Sequence, residues 1–353
     1  MIVFFPTYAR RLPGERRWRA TVAGMISRPL PERSRRRTLA IGVLKRLLEI
    51  DEQAVQSPLF QQRADAFLFQ RVAGERVRIA LGDRVIDVGL SDRVGHFERA
   101  IDLDEDEIGG LVESASGAGP RWVSYAALPE REDGAEPAGE RGRAPETQRG
   151  AAGRIHLVDT EGTSVISDID DTVKVTNVAD RRELLANTLL REFHAVPGMA
   201  EIYQRWQDEG HAFHYVSSSP WQLAESLACF LRDASLPAGS MHLKLFRLKD
   251  STPLRRLPSR KSSKRRVIER ILADFPGRRF LLVGDSGERD PEVYAAVARR
   301  HPHRVPAVVI REVVGRASPG KLKTRLDRLA RRLPGGVFRT FSDPADLAAG
   351  MGP

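Results

Sequence analysis

The sequence predicts an α/β region, a parallel sheet flanked by helices, preceded by a smaller mostly-β domain. Three observations carry this. After Ile155 short apolar strands alternate with long amphipathic helical stretches, before Pro129 apolar–polar alternation dominates, and between them runs a segment with neither period. A chain of 353 residues is also long for one hydrophobic core, so two domains are the natural starting point.

Taken in order, Trp18 to Met25 reads as a strand, the basic run Arg33 to Arg37 as a turn, and Leu39, Val43, Leu47 and Ile50 as a helical pattern. Ala66 to Phe69, Val77 to Ala80 and Phe97 to Leu103 follow as strands with turn residues between them. These make a mostly-β domain with a helix over 1–128. Residues 129–154 are almost all Glu, Arg, Gly, Ala and Pro, the composition of a flexible linker or surface loop. The α/β domain is then 155–353. Its strands are Ser164 to Ser167, His214 to Ser217, Phe280 to Gly284 and Val305 to Ile310, each followed by a helical stretch. Right-handed crossovers make such a sheet parallel, and ligands gather at the carboxyl ends of its strands.

The formal charge of +10 favours polyanionic partners, whether nucleic acid, anionic lipid or phosphorylated ligands. Cys229 stands alone in an apolar helical run, so an intrachain disulfide is impossible and a small buried hydrophobe is the simple reading. The start, Met1 to Pro6, is too short for a signal h-region, and no run approaches the roughly 20 apolar residues of a membrane span. A cytoplasmic protein is expected, one that meets a membrane only from the side.

The chemistry concentrates at strand ends. In Ser167-Asp168-Ile169-Asp170-Asp171-Thr172, strand alternation would project Asp168 and Asp170 to one side. Like charges so close call for a cation or a shared proton, and magnesium suits oxygen ligands. Taken alone, the segment reads equally well as a turn or helix cap. A calcium loop fails, because Val173 stands where that loop needs Gly and Ala179 where it needs Glu.

A second acidic cluster, Gly284-Asp285-Ser286-Gly287-Glu288-Arg289-Asp290, follows another strand and brings Asp285 towards the first pair. Gly-Asp-Ser-Gly also suits a serine-protease nucleophile loop, with Ser286 as nucleophile, but Glu288 replaces the Gly that should follow and the surrounding pattern is not all-β. Between the clusters, Ser217-Ser218-Ser219-Pro220 ends a strand in hydroxyls and Lys264 stands in a basic run before a helix. Hydroxyl, amide and ammonium together suit a phosphate. Each also has a bland explanation, as a helix entry or a solvated base.

The ordered set of Asp-x-Asp-x-Thr, Ser, Lys and Gly-Asp-x-x-x-x-Asp resembles the four motifs of the haloacid dehalogenase superfamily. More narrowly, Ser164 to Lys174, Phe213 to Trp221 and Gly284 to Tyr294 resemble the actin-patch type of phosphatidate phosphatase, closely over Ile155 to Arg311. The resemblance implies a haloacid-dehalogenase-like phosphatase domain with Asp168 as nucleophile and Asp170 as acid and base. It implies Ser217, with Ser218 beside it, and Lys264 as holders of the substrate phosphate. It implies Mg2+ at Asp168, Asp285 and Asp170, through the backbone carbonyl of the last, with Asp290 supporting the metal site. Thr172 is expected to pin the loop. Lys261 is the alternative to Lys264, which is preferred for its spacing to Ile268 and Ile271.

The implied substrate is phosphatidate, hydrolysed to diacylglycerol and phosphate at a membrane surface, with no nucleic-acid partner. Arg255, Arg256, Arg260, Lys261, Arg265 and Arg266 cluster beside the expected mouth of the site, where anionic headgroups would be drawn. Leu184, Leu185, Leu189, Leu190 and Phe193 are offered as core or as a small lid. The competing readings are a phosphatase of soluble or protein-bound phosphomonoesters and a non-catalytic scaffold for lipid or protein.

Overall fold

The structure, a computed structural model, describes residues 1–114, 119–129, 151–178, 180–244, 260–313 and 318–350. The chain divides into two compact units, one of residues 1–31 and 68–158, the other of 32–67 and 159–353.

The first unit is a mostly antiparallel sheet of ten strands. These are β1 (Ile2–Phe4), β2 (Thr7–Arg11), β3 (Arg17–Pro29), β4 (Phe69–Arg71), β5 (Arg76–Leu81), β6 (Arg84–Leu90), β7 (His96–Asp104), β8 (Val112–Ser114), β9 (Arg121–Ala127) and β10 (Ala152–Val158). Alternation along β3 and β7 buries Trp18, Ala20, Val22, Ile101 and Leu103 and turns Arg19 and Asp102 to solvent as a cross-strand ion pair of 2.8 Å.

The second unit carries a six-stranded, wholly parallel sheet in the order β13-β12-β11-β14-β15-β16. Its strands are β11 (Glu161–Ser167), β12 (Ala212–Pro220), β13 (Ser240–Lys244), β14 (Gly277–Asp285), β15 (Ala307–Arg311) and β16 (Phe338–Phe341). Among the described residues the α-helices are α1 (Arg35–Leu48), α2 (Glu52–Val55), α3 (Pro58–Asp65), α4 (Glu105–Gly109, in the first unit), α5 (Arg181–Leu189), α6 (Met199–Asp208), α7 (Ala224–Asp233), α8 (Arg260–Asp274), α9 (Asp290–Arg300), α10 (Pro319–Ala330) and α11 (Ala345–Gly350).

The chain leaves central β11 towards β12 and β13, then crosses back to place β14 on the other flank of β11. Side chains gather at this switch of direction, where loops from neighbouring strands part. Val165, Ile169, Phe213, Tyr215, Val283 and Val309 fill the core beneath it with Met199, Tyr203 and Leu227 from the helices.

The expected boundaries move in two places. Residues 155–158 do not open the α/β domain but complete β10, which pairs with β2 and β9 inside the first unit. The alternation of Ile155 and Leu157 buries them in that unit's core, and a strand pattern does not say which sheet it joins. Residues 32–67 lie within the expected amino-terminal domain by position yet belong to the second unit. The helical period there was legible; the partner was not. Of the linker expected over 129–154, residues 130–150 lie outside the described residues. The strands at 240–244 and 338–341 have no counterpart in the expected set, being short and partly polar.

The inserted helices are fastened to α5. Arg37, buried in α1, donates to Gln61 Oε1 at 2.7 Å and pairs with Asp65 of α3. Arg63 of α3 donates to the carbonyl of Thr188 at 2.9 Å and lies 3.7 Å above the ring of Phe193. Leu189 is buried and Phe193 packs on the core, so this stretch is core in part rather than a free lid.

Candidate active site

The strand β11 ends at Ser167, and the chain turns at once. Ile169 O accepts the amides of Thr172, Val173 and Lys174, so the alternation expected to align Asp168 with Asp170 stops before reaching them. Asp168 N donates to Val283 O at 2.9 Å, which fixes Asp168 against β14. Asp171 takes a left-handed backbone, φ 54°, a conformation that Asp tolerates when its carboxylate bonds locally. Its Oδ1 accepts the amides of Thr176 and Asn177 at 2.9 and 2.7 Å, and its Oδ2 that of Val178 at 2.7 Å. Asp171 therefore pins the loop, the role expected of Thr172, whose buried hydroxyl has no partner among the described residues.

Two carboxylate environments result. At the first, Lys264 Nζ lies 3.0 Å from Asp168 Oδ1, in ion-pair range but off hydrogen-bond geometry, and donates to both oxygens of Asp290 at 2.7 and 2.8 Å. Oxygens of Asp168, Asp285 and Asp290 lie within 4.8 Å of one another, all three residues buried. Asp285 Oδ1 accepts the Gly287 amide at 2.6 Å, while its Oδ2 is buried without a partner among the described residues. Gly284 makes this packing possible: a Cβ there would sit 2.5 Å from Asp290 Oδ2 and 2.8 Å from the Tyr294 ring.

Burial pushes Asp168 well above the ordinary carboxylate range. Lys264 opposes that shift, and the neighbouring Asp290, Asp285 and Asp170 reinforce it. Asp285 is pushed up to about 7, by burial and then by Asp290. Burial alone would lower Lys264, but Asp168 and Asp290 outweigh it and hold the ammonium well above its usual range. One ammonium faces three carboxylates, and among the described residues Asp285 Oδ2 meets no donor while Asp168 Oδ1 has only the ion pair with Lys264. A hard divalent cation fits that donor set.

At the second, Asp170 is saturated. Its Oδ1 meets Lys174 Nζ at 2.9 Å and accepts from Thr176 Oγ1 at 2.8 Å; its Oδ2 accepts from Ser217 Oγ at 3.2 Å and Ser219 Oγ at 2.5 Å. Burial raises this group too, but Lys174 and the hydroxyls of Ser219 and Thr176 outweigh it, and Asp170 is held below its ordinary range as a carboxylate. Lys174 is itself buried, donating to Thr176 Oγ1 at 2.5 Å with its ammonium 4.6 Å above the Phe193 ring.

The expected residues thus divide. Asp168, Lys264, Asp285 and Asp290 come together. The carboxylate of Asp170 stands outside that cluster, and both its oxygens are engaged, so its side chain is not offered to the same cation. Ser217 touches Asp170, and Ser218 donates instead to Glu288 at 3.2 Å. Asp290 spends both oxygens on Lys264. Lys264 lies one turn inside α8, while the side chain of Lys261 lies outside the described residues. Of the basic cluster only Arg265 and Arg266 have described side chains, Arg265 lying 3.5 Å from Glu269. Ser286 Oγ accepts the Val313 amide at 2.9 Å, a loop contact that gives the protease reading no support.

Sequence reasoning passed over Lys174, Thr176 and Ser219. Lys174 stands four residues after Asp170, and that spacing was the available signal.

Residues 163–312 match the family model described as the catalytic domain of phosphatidate phosphatase APP1. That stretch spans Asp168, Asp170, Lys174, Ser217, Ser219, Lys264, Asp285 and Asp290. The likeness is to that catalytic domain and lies within the second unit. An uncharacterised protein of Schizosaccharomyces pombe is 33% identical over 164 residues, and Phosphatidate phosphatase APP1 of Saccharomyces cerevisiae is 35% identical over 160 residues. These matches take in 45% and 44% of this chain and 27% of each relative, so the chain spans about a quarter of the curated relatives' length. The APP1-type region begins inside β11 and ends just beyond β15; it leaves out the β unit and the helices of 32–67.

Proposed function

We propose that the chain is a magnesium-dependent phosphatidate phosphatase with haloacid-dehalogenase-type chemistry, forming diacylglycerol and phosphate through an aspartyl phosphate on Asp168. The observation that carries this reading is Asp168, buried at the end of β11, 3.0 Å from Lys264 and beside the unpartnered oxygen of Asp285.

Asp168 attacks phosphorus in line, and the bond from phosphorus to the glycerol oxygen breaks. The departing alkoxide takes a proton from Asp170, which must first gain one. Water then attacks phosphorus, the bond to Asp168 breaks, and Asp170 takes the proton of the water. The arrangement around Lys174, Thr176, Ser217 and Ser219 presents Asp170 in the base form that this second step uses. Lys264 and Ser217 steady the phosphoryl oxygens. Asp168, Asp285 and the backbone carbonyl of Asp170 would hold Mg2+, which supplies charge neutralisation between phosphoryl oxygens and carboxylates. Asp290 supports the metal site by fixing Lys264.

The test is phosphate release from phosphatidate in mixed micelles, set against a water-soluble phosphomonoester. Turnover of the lipid well above that of the soluble ester is expected. Turnover of the soluble ester alone would replace the lipid reading by that of a soluble-phosphoester phosphatase.

A further inference from the structure

An apolar stripe on a helix ordinarily faces a core. On α1 it does not. Leu39, Val43 and Leu47, spaced by four residues and so lying one above another on a single face, are exposed by 72, 51 and 47%. The opposite face does the anchoring, through buried Arg37 and Leu48. Arg182 of α5 pairs with Glu49 at 2.9 Å and donates to Leu48 O, so the helix is held from behind and from its carboxyl end.

At 3.6 residues per turn, Arg35, Arg36 and Arg46 fall on the same outward face as the stripe, and Arg33 lies just before the helix. All four are exposed, and none forms an ion pair among the described residues, whereas Lys45, nearer the anchored side, pairs with Glu52 at 2.6 Å. An apolar row with unneutralised arginines at both ends is a poor solvent face. It matches a surface that is anionic outside and apolar just beneath, where leucines embed and arginine stems snorkel.

We propose that the outward face of α1 docks the protein on an anionic lipid surface. The assignment deepens the phosphatidate reading and rests on it for the choice of lipid over protein as occupant. It also connects to the reacting groups: α1 packs with α5, and Asn187 of α5 donates to Thr176 O at 2.8 Å, the residue whose hydroxyl bonds Asp170.

The experiment is flotation of the full chain with phosphatidylcholine vesicles, with and without phosphatidylserine, at low and high salt. It is run alongside hydrolysis of a monomeric short-chain phosphatidate. The wild type should float with the anionic vesicles, and more so at low salt. The Leu39→Gln/Val43→Gln/Leu47→Gln variant should bind them at least about tenfold more weakly. The Arg35→Gln/Arg36→Gln/Arg46→Gln variant should lose most of the salt dependence, with both variants hydrolysing the monomeric lipid at the wild-type rate. Undiminished flotation of the leucine variant, or no flotation of the wild type, would overturn the docking face. So would loss of a solution dimer in the leucine variant with vesicle binding intact, which would make the stripe a protein interface. Failure to hydrolyse the monomeric phosphatidate would sink the lipid-phosphatase reading instead, whatever the vesicles show.

Discussion

Two buried carboxylate–lysine pairs lie at the end of the same strand, and they are neutralised in opposite ways. Around Lys174 a single carboxylate, Asp170, has one ammonium and three hydroxyls. Around Lys264 three carboxylates share one ammonium, and an oxygen of Asp285 is unmet. The first is complete as protein. The second carries more negative charge than its ammonium offsets, so identical residue types divide into one saturated pocket and one with an unmet carboxylate oxygen.

The largest expected effect tests which carboxylate reacts. Asp168→Asn should lower phosphate release by about 10⁴-fold or more at saturating Mg2+, with an unchanged circular dichroism spectrum. Retained turnover would move the nucleophile elsewhere. Next come the lysines. Lys264→Met and Lys174→Met should each destabilise the metal-free protein by about 3 kcal/mol, because each strands buried negative charge, as urea unfolding would read. Mg2+ should restore much of the loss in the first variant and little in the second. Equal rescue would erase the contrast between the two regions.

A smaller effect follows from Asp285, raised from an ordinary carboxylate to about 7. Its folded-state value lies above its unfolded one, so the metal-free protein loses stability as pH rises from about 4 to about 7. Mg2+ competes with that proton, and its stabilisation should grow over the same interval. Thermal melts with EDTA and with Mg2+ at pH 6 and pH 8 would check this; a Mg2+ shift no larger at pH 8 would place the unmet charge elsewhere. The smallest effect is expected of Thr172→Val. That hydroxyl is buried and unpartnered, so its replacement should change stability by no more than about 1 kcal/mol. A clear loss in urea unfolding would return the loop-pinning role to Thr172.

The parallel sheet and the gathering of Asp168, Lys264, Asp285 and Asp290 were legible because strand period, helix period and motif order all survive in one dimension. What was not legible is what depends on the turn after Ser167. Side-chain alternation predicted a shared site for Asp168 and Asp170, but the left-handed Asp171 and the contacts of Lys174 send the second carboxylate into a nest of its own. Likewise the period of Leu39, Val43 and Leu47 announced a helix without saying that its apolar face would lie outward. Periodicity gives a helix its faces, and only tertiary packing assigns them.

The excursion of residues 32–67 out of the β unit has a consequence for biogenesis. The two units are threaded through each other along the chain, and neither is a continuous stretch. During synthesis α1 and α3 leave the ribosome long before α5, so Arg37 meets Gln61 and Asp65 early while Arg63 waits for Thr188 and Phe193 until the strands between have been made. A fragment cut to the matched boundary would keep Asp168, Asp170, Lys264, Asp285 and Asp290 and lose the brace behind Phe193.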